Sequence, residues 1–391
     1  MTAFRVGHAT HPRWSMALEM ALAQIGAAEP PPTERPSSLG VVYVTEAFGP
    51  HLAEVLAALR GRCGVRHWTA ACAPAICATG VEYGEEPALA LMVAALPDGS
   101  FEPFPIPARR AGDSARASVA QPAAALIHAD VNLPDVGERI PEFAGRTRSG
   151  ALFGALASAV GRPTGPAGAM VGLDAVGFSE EVGLVTGVTQ GCSAIGAEHR
   201  ITACAGQMIE TLDGRPALDV LLADLDVRLP AASARDGEAI RRALPAQRLR
   251  EGLFVGLTRD EPARKPGFGD YLVRSVVGID PSRRLVAIGE LPQEGDRLVF
   301  CTRDREAAQR DLVRVVAELR DEIEQAGNRV AGALYHSCVA RGSHLFGSQG
   351  AELATIRHHL GEVPLVGMYG HGEIARDRIY GHTGVLTLFF A

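Results

Sequence analysis

The chain has 391 residues, nearly half of them apolar, and a net charge of −7, which is material for two ordinary cores and argues against general disorder. Lys265 is its only lysine, in the loop-like stretch EPARKPGFGD, and the arginines are scattered among carboxylates. A nucleic-acid partner and most lysine chemistry are therefore excluded. Seven cysteines without regular spacing, a polar N-terminus (MTAFRVGHATHPRW) and no apolar run of membrane-spanning length predict a cytoplasmic protein without membrane contact.

Residues 12–25 predict an amphipathic helix, and AAEPPPTERPSS a proline-rich linker. LGVVYVT then predicts a strand and HLAEVLAALRGR a helix ending near glycine. CGVRHWTAACAP, ALALMVAALP and AAALIHAD predict further strands. SGALFGALASAVG predicts a helix of small residues. Two strand-like runs fill 167–188, and HRITACAGQMIETLDGRPALDVLLADL predicts strand, turn and helix.

After an arginine-rich stretch near 228–250 the pattern restarts with four short strands between GLFVGLT and DRLVFCT. DREAAQRDLVRVVAELRDEIEQAG is the most periodic helix, with Gly327 as its cap. VAGALYHSC, VPLVGMYG and GVLTLFF predict strands, and GAELATIRHHLG a helix. Short strands outnumber helices and often follow one another, so an α+β fold of two modules is expected. Its mixed, largely antiparallel sheets would pack against helices, with a boundary near 235–250.

Polar residues gather at four strand ends: TQGCSAIG (189–196), YHSCVARG (335–342), YGHGEIA (369–375) and YGHTG (380–384). Residues at strand ends line clefts or face solvent, and the glycines beside them allow close backbone approach or simply a turn. Cys338 stands three residues before Arg341, whose guanidinium would stabilise a thiolate; the alternative is a buried apolar filler. The fork of Arg341 suits a carboxylate, either a ligand's or that of Glu373. His371 and His382 flank Glu373 and would ligate a metal or haem iron, titrate, or cap a turn. His358 and His359 are helix neighbours facing different ways, HATH (His8, His11) lacks partners, and Cys63, Cys72 and Cys77 form no CxxC, so zinc is not expected. The common hydrolase, zincin and dinucleotide signatures are absent from the sequence.

These stretches resemble the FIST family, named for F-box and intracellular signal transduction proteins. CGVRHWTAACAPAICATG, SGALFGALAS and VTQGCSAIG through TLDGRPALDVL are similar to its N-terminal domain. YHSCVARGSHLFG, VPLVGMYGHGEIA and GHTGVLTLF are similar to its C-terminal domain. The resemblance divides the chain into a helix and linker (1–38), an N-terminal domain (39–240) and a C-terminal domain (241–391). It implies a stand-alone sensory unit that binds a small ligand, such as an amino acid or another carboxylate, in a cleft between the two. The matched positions are Gln190, Gly191, Cys192, Cys338, Arg341, Gly342, Gly372, Glu373, His382 and Thr383. Of these, Gln190, Cys192, Cys338, Arg341, Glu373, His382 and Thr383 are the expected ligand-binding residues.

Two departures, Ala340 and His371, alter the polar contacts at the site. Some relatives carry haem, for which His344, His371 or His382 would be the axial ligand here. No kinase or cyclase segment is visible, so output would pass to a separate signalling kinase or cyclic-dinucleotide enzyme. An enzyme with Cys338 as nucleophile and His336 or His382 as base is the remaining alternative.

Overall fold

The computed structural model describes residues 3–26, 38–65, 67–104, 121–161, 172–230, 236–245, 252–258 and 271–391. Most of the proline-rich linker, and Lys265, lie outside them. In chain order the first elements are β1 (Ala3–Thr10), α1 (Trp14–Gln24), β2 (Ser38–Thr45), a 3₁₀ turn (Glu46–His51), α2 (Leu52–Cys63), β3 (His67–Ala73), β4 (Ala75–Ala78), β5 (Val81–Tyr83) and β6 (Ala88–Ala95). There follow β7 (Phe101–Pro103), β8 (Ala124–Asp130), α3 (Val136–Ala144), β9 (Ala151–Ala157), β10 (Ala159–Gly161), β11 (Leu173–Phe178) and β12 (Gly183–Gln190). Next come β13 (Cys192–Ala205), β14 (Met208–Leu212), β15 (Arg215–Pro216), α4 (Ala217–Asp224), α5 (Gly237–Ala243), β16 (Leu253–Thr258), β17 (Leu272–Asp280), β18 (Leu285–Ile288), β19 (Arg297–Arg303) and α6 (Arg305–Gln325). The chain closes with β20 (Val330–Cys338), α7 (Gly342–Phe346), α8 (Ala351–Leu360), β21 (Leu365–Gly370), β22 (Glu373–Ala375), β23 (Arg378–Tyr380) and β24 (Thr383–Phe390).

The fold is α+β with mixed sheets, and the chain forms two compact units. Unit 1 comprises Met1–Thr189 and Leu312–Ala391; unit 2 is the intervening Gln190–Asp311. These spatial units are drawn differently from a sequential division near 240, because strands from both ends of the chain share sheets in unit 1.

Unit 1 repeats one plan three times. Its sheets run β1-β6-β2-β3-β10, β7-β11-β8-β9-β22-β23 and β12-β24-β20-β21-β4-β5. Each holds one parallel pair (β2–β3, β8–β9, β20–β21) joined through a helical crossover, as parallel neighbours require. After the second parallel strand the chain crosses at once into another sheet. There β4 pairs with β21, β22 with β9 and β10 with β3, all antiparallel. The exchange runs in a ring, so each sheet lends a strand to one neighbour and borrows from the other. A last strand (β6, β11, β24) then returns antiparallel to the first of the parallel pair. The threefold pattern went unread in the sequence, where the repeats share strand order and not residues.

The inner faces of the three sheets meet in layers. Phe4, Phe153, Phe178 and Phe389 form an aromatic cluster, with neighbouring ring centroids 5.3–6.4 Å apart. Outside, α1 and α2 cover the first sheet through Leu18, Leu22, Val55, Leu56 and Leu59, while α3 covers the second through Ile140 and Phe143. Unit 2 is a seven-stranded sheet, β13-β19-β16-β17-β18-β14-β15, whose core includes Leu218, Leu221 and Ile240 of α4 and α5.

Two expectations need correction. SGALFGALASAVG is not a helix but β9 and β10. Gly154 has φ +143°, and a Cβ there would collide with the Ile127 carbonyl of β8, so close parallel pairing overrides alanine's intrinsic helix preference. The polar N-terminus, read without structure, is β1, paired with β6 from Ala3↔Ala95 to Thr10↔Ala88. The long helix α6 ends as predicted: Gly327 has φ +76°, and Asn328 N–H donates to the Ile323 carbonyl. No helix among the described residues is long and apolar enough to cross a membrane.

Candidate functional site

The strand β20 carries polar side chains on both faces, because successive residues alternate. Tyr335 and Ser337 point one way, toward α8, and His336 points the other way, into the space between the three sheets.

On the α8 side lies a wholly buried charged cluster. Glu352, in the first turn of α8, accepts from Tyr335 Oη at 2.6 Å, from Ser337 Oγ at 3.2 Å and from Arg341 Nε at 2.7 Å. Arg341 Nη2 also lies 2.7 Å from Glu352 Oε1 but off the hydrogen-bond direction. Nη1 donates to the Thr189 carbonyl at 3.3 Å, and the guanidinium lies over the Phe346 ring at 5.2 Å. A tight turn brings the arginine back: Arg341 N–H donates to the Cys338 carbonyl, and Gly342 takes φ +47°. Burial acts to lower the Arg341 pKa, but Glu352, Tyr335 and Glu373 outweigh it and hold the guanidinium charged. The carboxylate hydrogen-bonded to Arg341 is therefore Glu352, and not Glu373, the internal one of the two alternatives read from the sequence.

Glu373 is also wholly buried. Its Oε2 accepts from Thr383 N–H at 3.1 Å and Thr383 Oγ1 at 2.7 Å, while Oε1 meets no hydrogen-bond partner among the described residues. Burial pushes its pKa up to about 8, against the lowering effect of the Thr383 bonds and of Arg341, so the carboxyl is largely protonated at neutral pH. Beside the cluster, Gly350 N–H donates to Glu82 Oε2 at 2.8 Å. Burial, then Glu82 and Glu352, push the Cys77 thiol well up.

On the inner face of β20, His336 meets Tyr43 of β2 and His128 of β8. Tyr43 Oη lies 2.8 Å from His336 Nε2 and 3.0 Å from His128 Nε2, and Thr69 Oγ1 lies 2.9 Å from His128 Nδ1. Each of the three stands two residues before the end of its strand, opposite Ala71, Ala155 and Met368 of the parallel partners. They are equivalent positions of the three repeats, meeting at the centre. Burial lowers His128 to about 3 and His336 well below its ordinary value, so both rings are neutral.

The remaining sequence candidates divide as follows. Cys338 is buried at the end of β20. His382 is half-buried, in the left-handed region (φ +61°) at the turn before β24. His344 and His371 are exposed. His371 Nε2 lies 3.0 Å from Ser158 Oγ, which donates to Glu46. This polar setting does not fit the large apolar face of a haem. Among the described residues, no three His, Cys, Asp or Glu side chains gather as a metal site.

Gln190 and Cys192 belong to unit 2. There Gln190 Nε2 donates to the Tyr271 carbonyl at 2.5 Å and Cys192 packs with Phe254, Val273 and Cys301. The sequence reading missed Glu352, Tyr335, Tyr43 and His128. Glu352 carried no distinguishing signal in the sequence, since an acidic residue in the first turn of a helix is ordinary; only the structure shows it buried on one face with Ile356.

Comparison with known proteins identifies the family. Residues 38–215 match the FIST N domain and residues 217–376 the FIST C domain. The chain belongs to the FIST family. FIST domains are associated with small-ligand sensing in signal transduction. The charged cluster draws on both FIST domains, with Cys77, Glu82 and Thr189 from the first and Tyr335, Arg341, Glu352 and Glu373 from the second. Among curated relatives, "Uncharacterized protein Mb0898c" of Mycobacterium bovis is 34% identical over 206 residues, 52% of this chain and 49% of that protein. "Uncharacterized protein Rv0628c" of Mycobacterium tuberculosis is 34% identical over 209 residues, 52% of this chain and 50% of its own. The match thus spans about half the length of these relatives.

Proposed function

We propose that this FIST protein is a sensor for a small carboxylate-bearing metabolite, of amino-acid type, received at the buried cluster where its two FIST domains contribute side chains. One observation carries the reading: Glu373 is wholly buried, yet its Oε1 has no hydrogen-bond partner among the described residues, and such a group in a native fold calls for an explanation. Protonated, Oε1 donates a hydrogen bond to a ligand carboxylate. Arg341 Nη2, close to Glu352 but off its hydrogen-bond direction, supplies a second, charged donor to the same group.

The ligand carboxylate competes with Glu352 for the guanidinium. Weakening that pair loosens the first turn of α8, which gives binding a mechanical consequence that a separate signalling enzyme can read. Thr383 fixes Glu373, and Cys338 and His382 lie at the adjoining strand ends.

The test is thermal melting against a panel of amino acids and dicarboxylates, for wild type and Glu373→Gln. At pH 7 the substitution replaces a largely protonated carboxyl by a neutral amide of the same shape, so folding is retained. A compound that raises the wild-type Tm by several degrees and leaves the variant unmoved supports the reading. Equal shifts in both proteins, or none in wild type across the panel, overturn it.

A further inference from the structure

The open end of the threefold arrangement carries a second cluster, independent of the carboxylate reading. Where β3, β9 and β21 cross into the neighbouring sheets, the junction residues are Pro74, Ser158 and His371. The Ser158 N–H donates to the Cys72 carbonyl and the His371 N–H to the Leu156 carbonyl, both at 2.9 Å. Each junction is thereby pinned to the parallel strand of the next repeat. Proline, with no N–H, breaks the pattern at the third. That repeat contributes Glu46 instead, one residue beyond β2.

Ser158 Oγ donates to Glu46 Oε1 at 2.7 Å and lies 3.0 Å from His371 Nε2. Three repeats thus deliver a hydroxyl, a carboxylate and an imidazole to one point. Glu46 and His371 are exposed and Ser158 is half-buried, so a substrate reaches them from solvent.

We propose that Ser158 is a nucleophile for small acyl esters, with Glu46 as its base and His371 as the acid for the leaving group. Ser158 has one proton and two neighbours. It gives that proton to the carboxylate, and His371 directs its own Nε2–H at the serine oxygen; the form that serves as acid is the imidazolium, with both ring nitrogens protonated, which becomes neutral imidazole when it gives up the proton. This order differs from the Ser–His–Asp relay, where the imidazole stands between the other two.

In the first half-reaction the Ser158 Oγ–acyl bond forms and its proton passes to Glu46. The acyl–alkoxide bond breaks and His371 protonates the departing alkoxide. In the second, water attacks the acyl-serine and gives one proton to His371. As the acyl–Oγ bond breaks, Glu46 returns its proton to Ser158, releasing the carboxylic acid. The backbone bonds at both junctions hold nucleophile and acid in place before substrate arrives, which is what makes such a pair effective.

The test uses the full chain with a fluorophosphonate probe and with p-nitrophenyl acetate. Peptide mapping should place the probe on Ser158. Ester turnover should fall at least about tenfold in Ser158→Ala, and by a comparable factor in Glu46→Gln and His371→Ala, in keeping with the loss of a nucleophile or an acid–base group. Circular dichroism melts at the wild-type Tm establish that these variants are folded. Absence of label at Ser158, or ester turnover in Ser158→Ala equal to wild type, overturns the proposal. Either result leaves the Glu373 experiment unaffected, since the two clusters share no residue.

Discussion

The two faces of β20 solve the burial of polar groups in opposite ways. On the inner face Tyr43, His128 and His336 hydrogen-bond to no carboxylate among the described residues, and desolvation leaves both imidazoles neutral. On the outer face Arg341 is buried just as completely but stays charged, because Glu352 lies 2.7 Å away with Tyr335 and Ser337 bonded to it. A titratable ring escapes the cost of burial by losing its proton. A guanidinium has no such exit, so it must be given an anion. The neutral triad can therefore lose a member at moderate cost, whereas the charged cluster fails when one partner goes.

The sharpest break in that comparison is Glu352→Gln. It removes the anion, keeps the shape and strands a buried guanidinium, and about 3–5 kcal/mol of stability should be lost, measured by urea denaturation. Arg341→Met combined with Glu352→Leu should recover much of the loss, because an apolar pair leaves no charge behind. If the double variant is no better than the single one, shape rather than charge governs the site.

The next effect is pH-dependent and comes from Glu373. Its folded pKa of about 8 lies above the 4.5 ordinary for a glutamate, so between these values the native state holds a proton that the unfolded chain has lost. Stability is complete below about pH 4.5 and falls as pH rises toward 8, by an amount on the order of a few kcal/mol. The histidines act the other way at the acid end: neutral when folded, they oppose folding as pH drops from 6.5 toward about 3. Tm measured between pH 5 and 9 should decline for wild type and flatten for Glu373→Gln. A parallel decline in both would assign the dependence to other groups.

For the neutral triad, Tyr43→Phe leaves two imidazole nitrogens without their shared hydroxyl. The expected loss is about 1–3 kcal/mol, less than for Glu352→Gln, and denaturant midpoints of the two variants measured together rank the clusters directly.

Much of the strand content was legible because VAGALYHSC, LGVVYVT and GVLTLFF are apolar runs with turn residues at their ends, and α6 because its buried positions recur at helical spacing. The helix expected over SGALFGALAS failed because alanine's helix preference is a weak prior that tertiary pairing overrides, glycine opposes a helix, and the neighbour that forces extension, Ile127, is distant in sequence. Arg341 and Glu373 were visible as charges beside apolar strands. Their partners were not: Glu352 looked like an ordinary residue of a helix's first turn, and Tyr43, His128 and His336 become a set only when the three-sheet ring brings equivalent strand ends together. Pairing across repeats is a property of topology, and no spacing along the chain encodes it.

The smallest effect bounds the comparison from the solvent side. Arg62 of α2 forms a two-pronged pair with Glu19 of α1, Nη2 to Oε2 at 2.6 Å and Nη1 to Oε1. The geometry matches or betters that of the buried pair, but each side chain is over two-fifths exposed, and water already solvates both charges well. Holding two long side chains together offsets most of the attraction, so Glu19→Gln should cost at most about 1 kcal/mol. That small loss should shrink further in 1 M salt, where screening acts over about 3 Å, while the Glu352→Gln loss should persist because salt does not reach it. Equal salt sensitivity in the two variants would mean that burial is not what separates these arginine–glutamate pairs.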